Sequence, residues 1–178
     1  MLFRSNLGEA ADCYQRAISL HREAGDRFNE ADALVHLGET CQATGQLTQA
    51  RDAWQQALAK SGLELGDLSF VETHDCFTIA ELIEYEAMGL VPEGEGARAI
   101  KEGWTQKDGK LPVNPSGGLK AKGHPIGATG VSMHVMTAMQ LTGQAPEGMQ
   151  IKNAKLGGIF NMGGAAVANY VSILEPMK

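Results

Sequence analysis

Asn114-Pro115-Ser116-Gly117-Gly118-Leu119-Lys120-Ala121-Lys122-Gly123-His124-Pro125-Ile126-Gly127-Ala128-Thr129-Gly130 is the stretch on which the reading of this chain turns. Its glycines let the backbone come close to whatever binds there, and His124 is held between a glycine and a proline. An apolar run follows at once: Val131, Met133, Val135, Met136, Ala138, Met139 and Leu141. On a helix over about 128–142 these residues point in nearly every direction, which predicts a helix buried all round. The start of such a helix offers free N–H groups and a positive dipole, favourable to developing negative charge.

Outward from that stretch, Asp67 to His74 is rich in β-formers and predicts a strand. Thr78 with Glu81 three residues later predicts a capped helix start, and Gly89 and Pro92 mark its end. Residues 93–110 are charged and predict a solvated excursion, after which Val113-Asn114 ends a short strand. Two more strands, about 155–160 and 165–174, are joined by Asn161-Met162-Gly163-Gly164. The order β-α-β-α-β-β predicts an α/β fold, a mixed sheet with helices on its faces, over residues 62–178.

Residues 1–61 read differently. They contain no proline and little glycine, and their apolar residues fall at helical spacing. Ala10, Tyr14 and Ala17 recur as Ala50, Trp54 and Ala57, and another helix over about 29–44 carries Leu34, Leu37 and Cys41 on one face. The pattern Leu37-Gly38, Cys41, Gly45, Ala50, Trp54, Ala57 resembles a tetratricopeptide repeat, about one and a half copies between Leu7 and Leu58. That resemblance implies an all-α segment able to meet a protein partner, although such arrays normally need about three repeats for a continuous core. The helix of residues 50–59 also suits a position packed before the 67–74 strand.

The bulk properties exclude several classes. A net charge of -6 and a pI near 5.3 argue against a nucleic-acid binder. No apolar run nears the roughly 18 residues of a membrane span, and no secretion signal is evident, so the cytoplasm is expected. Cys13, Cys41 and Cys76 form neither a disulfide framework nor a zinc spacing. Cys13, Cys41, His21 and His36 lie in the helical part and carry no expected chemistry.

Three loops converge as candidates at strand ends or helix starts: His74-Asp75-Cys76-Phe77, Asn114 to Gly127, and Asn161 to Gly164. Gly118 and Gly123 have the spacing of a phosphate-binding loop, but His124 stands where lysine is required. Asn114-Pro115-Ser116 fails as a glycosylation site because of its proline. His74, Cys76 and His124 lack a fourth zinc ligand, so no metal is expected. Cysteine–histidine acid–base chemistry beside backbone donors remains, as Claisen chemistry on thioesters requires.

The run from Asn114 to Gly130 resembles the signature of the thiolase family, in which N-x-x-G-G leads into G-H-P. His74-Asp75-Cys76-Phe77 resembles the corresponding loop of the sterol-carrier-protein type. The resemblance extends from Ala50 or Leu63 to Leu174. It implies that His124 activates the nucleophilic cysteine and binds the thioester oxygen, that His74 helps form the other oxyanion hole, and that Cys76 is the acid/base for the substrate α-carbon. It implies substrate-binding positions at Asn114, Ser116, Gly117, Gly123 and Gly163, the last through its backbone N–H. Asn161 departs from the usual C-x-G loop, as the sterol-carrier type does. The family's nucleophile lies in an N-terminal half that residues 1–178 do not contain, so a chain inactive alone is expected. The implied reaction is 3-ketoacyl-CoA thiolysis or acetyl-CoA condensation, with the coenzyme A thioester as substrate and no further cofactor. A complementing half or a homo-oligomer is the implied partner. The rival expectation is a scaffold or CoA-ligand-binding protein without catalysis.

Overall fold

The computed structural model describes residues 16–17, 19–24, 50–163 and 168–177. The tetratricopeptide-like pattern before Ala50, including Cys13, Cys41 and His36, therefore lies almost wholly outside the described residues.

Residues 50–61 form helix α1. Ala50 and Trp54 are fully buried and Leu58 packs beside them, a stripe at four-residue spacing that faces inward. Their neighbours are Val71, Tyr85, Leu111 and Phe160, so these two residues of the repeat-like pattern sit in the core of the α/β unit. The Trp54 and Phe160 rings are 5.4 Å apart.

A 3-10 turn (Leu65–Asp67) leads into β1 (Phe70–Thr73), all four residues of which are buried. The helices α2 (Thr78–Ala87), α3 (Gly96–Lys101), α4 (Gly118–Lys122) and α5 (Thr129–Leu141) follow, then β2 (Gly157–Gly163) and β3 (Ala168–Leu174). β1 pairs parallel with β2, Phe70 opposite Gly157, and β2 pairs antiparallel with β3, Gly157 opposite Leu174. The mixed α/β sheet expected from the sequence is present, as three strands in the order β1-β2-β3.

Glycines set how closely the layers meet. A Cβ on Gly157 would lie 2.6 Å from Thr137 of α5, and one on Gly158 would lie 3.1 Å from Trp54 of α1. Successive residues of β2 thus accept a helix on one face and an indole on the other.

Several local expectations need correction. The strand predicted over 67–74 is shorter because its first turn is 3-10. The one predicted to end at Asn114 is reduced to a single bridge, Val71 with Val113. Pro112 and Pro115 flank it and lack the N–H that a ladder needs, and Asn114 takes a φ of 50°. The capping box at Thr78 does not form: Phe77 is the N-cap, without a side-chain cap bond. Glu81 turns instead toward Asn114, whose amide donates to it at 3.3 Å. The strand predicted to end at Phe160 runs further, because Asn161, Met162 and Gly163 continue β2 opposite Tyr170, Asn169 and Ala168.

The helix over 129–141 is present but is not buried all round. Thr129, Met133, Thr137 and Gln140 face inward, while Val131 and Val135 are 65% and 51% exposed. The apolar residues on its outer side have no cover among the described residues. No described helix is long and apolar enough to cross a membrane.

Candidate active site

The chain leaves β1 at Thr73, and the next residue, His74, is buried with its ring turned toward His124. The two imidazoles meet edge to face, centroids 4.8 Å apart and planes at 79°. They come from loops fifty residues apart in sequence.

Each ring is fixed through Nδ1. His74 Nδ1 lies 2.8 Å from the Asn161 carbonyl oxygen, which can only accept, so Nδ1 carries the proton. His124 Nδ1 lies 2.8 Å from the Thr129 hydroxyl, which itself donates to the Pro125 carbonyl at 3.2 Å. With that proton directed to Pro125, the hydroxyl accepts from His124 Nδ1–H. Both neutral rings therefore keep a lone pair on Nε2, as a general base must. For His74 this qualifies the implied oxyanion-hole role. Nε2 donates only as imidazolium, or when the Asn161 amide is reversed and its NH2 donates to Nδ1. Gly130 makes the Asn161 contact possible, since a Cβ there would lie 2.9 Å from the Asn161 amide nitrogen.

Burial holds the His74 imidazole below its ordinary pKa, with the Asn161 hydrogen bond opposing and His124 adding to the effect. Cys76 is half-buried against Ala80 and Met162. Burial pushes its thiol up, only partly offset by a backbone hydrogen bond from Phe77. In this chain by itself the thiol is an acid more than a thiolate.

The loop between them is pinned by Asp75, which accepts from the Leu119 N–H at 2.8 Å. Gly118 allows this approach: its φ is 66°, and a Cβ would collide with the Asp75 carboxylate. Asn114 locks the end of β1, accepting from the Thr73 N–H and donating to the Thr73 hydroxyl, both at 2.8 Å. Ser116 is buried and binds Glu72 and Lys122. The side chains of Asn114 and Ser116 are thus committed within the protein. Gly117 and Gly123 are exposed at positive φ, and Gly163 ends β2 opposite Ala168. Among the described residues no group of three or more His, Cys, Asp or Glu side chains could hold a metal.

Sequence reading missed Thr129 and Glu84. Thr129 follows His124 by five residues and opens α5, a hydroxyl at the helix start that could have flagged it. Glu84 is fully buried in α2 and faces the His74 N–H and the Thr73 hydroxyl without a well-formed hydrogen bond to either. Burial, then the neighbouring Glu81, raises its carboxyl well above the usual range.

These two shifts set opposite pH limits. Below about 6.5 an unfolded chain protonates His74 while the fold resists, so His74 costs stability as pH falls through that value. Above about 4.3 the unfolded chain ionises Glu84 while the fold keeps it neutral, so Glu84 costs stability as pH rises. Urea unfolding from about pH 6.5 to 8, above the range where His74 opposes it, should show a decline toward alkaline pH that is weaker in Glu84→Gln. An equal decline in both proteins would remove Glu84 as its source.

A family model described as thiolase C-terminal domain-like matches residues 31–176. This chain belongs to that family. The match begins within the repeat-like segment, and with Trp54 in the α/β core the tetratricopeptide reading gains no support. An acetyl-CoA acetyltransferase of Methanothermobacter thermautotrophicus is 40% identical over 155 residues, 81% of this chain and 40% of that protein. Human sterol carrier protein 2 is 44% identical over 119 residues, 66% of this chain and 22% of that protein. The chain therefore spans about two fifths and one fifth of the lengths of these two relatives. A solved chain of an Ltp2-ChsH2(DUF35) aldolase shares the fold, with a TM-score of 0.55 at 23% identity over 62% of this chain and 28% of that one.

Proposed function

We propose that this chain supplies the acid–base half of a thiolase-type acyl-CoA acyltransferase, working on 3-ketoacyl-CoA thiolysis or the reverse condensation. The observation that carries the reading is the edge-to-face pair of His74 and His124, each locked at Nδ1, with Cys76 on the same loop as His74. His124 Nε2 takes the proton of a thiol supplied from outside residues 1–178. Cys76 exchanges a proton with the substrate α-carbon. Gly123 and Gly163 bring backbone close to the thioester, and coenzyme A is carried in as part of the substrate.

The uncovered apolar face supports a complementing half. A trough of about 460 Å³ runs beside His124 and is lined by Pro125, Val131, Val135 and Met136 among others. With the exposed Ile126 next to Pro125, it presents the kind of contiguous apolar surface that a partner covers.

The test follows acetoacetyl-CoA loss in the presence of free coenzyme A, for the chain alone and after mixing with a nucleophile-bearing thiolase half. Turnover only in the mixture is the expected result. A stable complex without turnover would sink the catalytic reading and leave a CoA-ligand or scaffold role.

A further inference from the structure

We infer that the buried ion pair of Glu72 and Lys122, bridged by Ser116, is a positioning device that sets His74 against His124. The inference deepens the acid–base reading, and its purpose rests on that reading. Lys122 Nζ donates to Glu72 Oε2 at 2.8 Å and to Ser116 Oγ at 2.6 Å. Ser116 in turn donates its N–H to Glu72 Oε1 at 3.1 Å and its hydroxyl to Oε2. The Glu72 side chain is 0% exposed and that of Lys122 is 16%.

The two partners stand in matching places. Glu72 precedes His74 by two residues, and Lys122 precedes His124 by two. Two residues span at most about 7 Å, so joining the charged ends confines both histidines to one small region. Two other side-chain ties between these segments, Asn114 to Thr73 and Asp75 to Leu119, meet the second segment upstream of Lys122. Lys122 makes the last side-chain tie before His124, the Gly123 N–H closing α4 on the Leu119 carbonyl at 2.8 Å, and the exposed His124 ring is then caught by Thr129.

A pair placed only for stability would be a poor choice. Taking two charges out of water offsets most of their attraction, and apolar replacements often do as well. Fixing register is the better-attested use of such a buried pair. Ser116 fits that use, since it satisfies a carboxylate oxygen and an ammonium proton together.

The test reads the two rings directly and does not depend on turnover. In the full chain with isotope-labelled histidine, a nuclear Overhauser cross-peak is expected between the His74 and His124 ring protons, whose ring centroids are 4.8 Å apart. It should be retained in Lys122→Arg and lost in Lys122→Met and Glu72→Gln. Should a single variant fail to fold because a lone buried charge remains, Glu72→Gln/Lys122→Met, which leaves none, decides the matter. Its cross-peak should also be lost while its circular dichroism stays that of the parent. A folded double variant with the parental cross-peak overturns the inference. So does failure of the double variant to fold, which makes the pair a folding element. Loss of the cross-peak in a protein that never turns over would uphold this inference while the catalytic reading fell.

Discussion

Replacing His124 by alanine in the complemented enzyme is expected to lower kcat/KM by about 10²–10⁴-fold, the usual worth of a positioned general base. The ring is exposed, so its loss leaves little cavity, and unfolding should be nearly unchanged. Besides its edge-to-face contact with His74, the ring is held by Thr129 Oγ1, which accepts from Nδ1 and leaves Nε2 free. Thr129→Val should therefore also slow turnover, by less, because the ring remains while its tautomer and orientation are no longer fixed. Steady-state rates for the two variants check both points. Wild-type rates in His124→Ala would mean that the base lies elsewhere.

The largest loss of stability is expected from Trp54→Ala, about 3–5 kcal/mol in urea unfolding. Trp54 is fully buried, lies on Phe160, and occupies space that Gly158 leaves open. Alanine would leave a cavity floored by hydrogen-bonded sheet backbone, which cannot collapse into it. Trp54→Phe should cost far less, since the buried indole N–H has no hydrogen-bond partner and nothing polar is lost with it. A near-neutral Trp54→Ala would show that residues 50–61 are an appendage and not part of the core.

Much of the α/β part is legible in the sequence because its signals are local. Glycine spacing, the G-H-P turn and the apolar run after it place His124 at the mouth of a helix. A run of β-formers places His74 at a strand end, and Cys76 follows from the loop beyond it. The features that escape are those made by residues distant in sequence. Nothing near Glu72 announces a lysine fifty positions on, although an acid inside a run of buried strand residues signals that a partner is needed. The capping box fails because Asn114 competes for Glu81, a contact that spans 33 positions. Trp54 fits a repeat on paper because helix periodicity reveals a buried face without saying what covers it. The all-apolar helix misleads for the same reason, since burial all round needs neighbours on every side.

The parallel pairing of β1 with β2 also fixes when the site can come into being. His74 and the Asn161 that orients it are separated by 87 positions. During synthesis at about 5–20 residues per second, β1 emerges several seconds before the strand that will lie beside it. Closing so long a loop makes this contact a late one, and such non-local pairings slow folding. Throughout that interval Phe70 to Thr73 has an unpaired edge toward the future β2, and the two histidines are unconnected. The nascent chain thus carries its chemistry-bearing residues long before it carries a site.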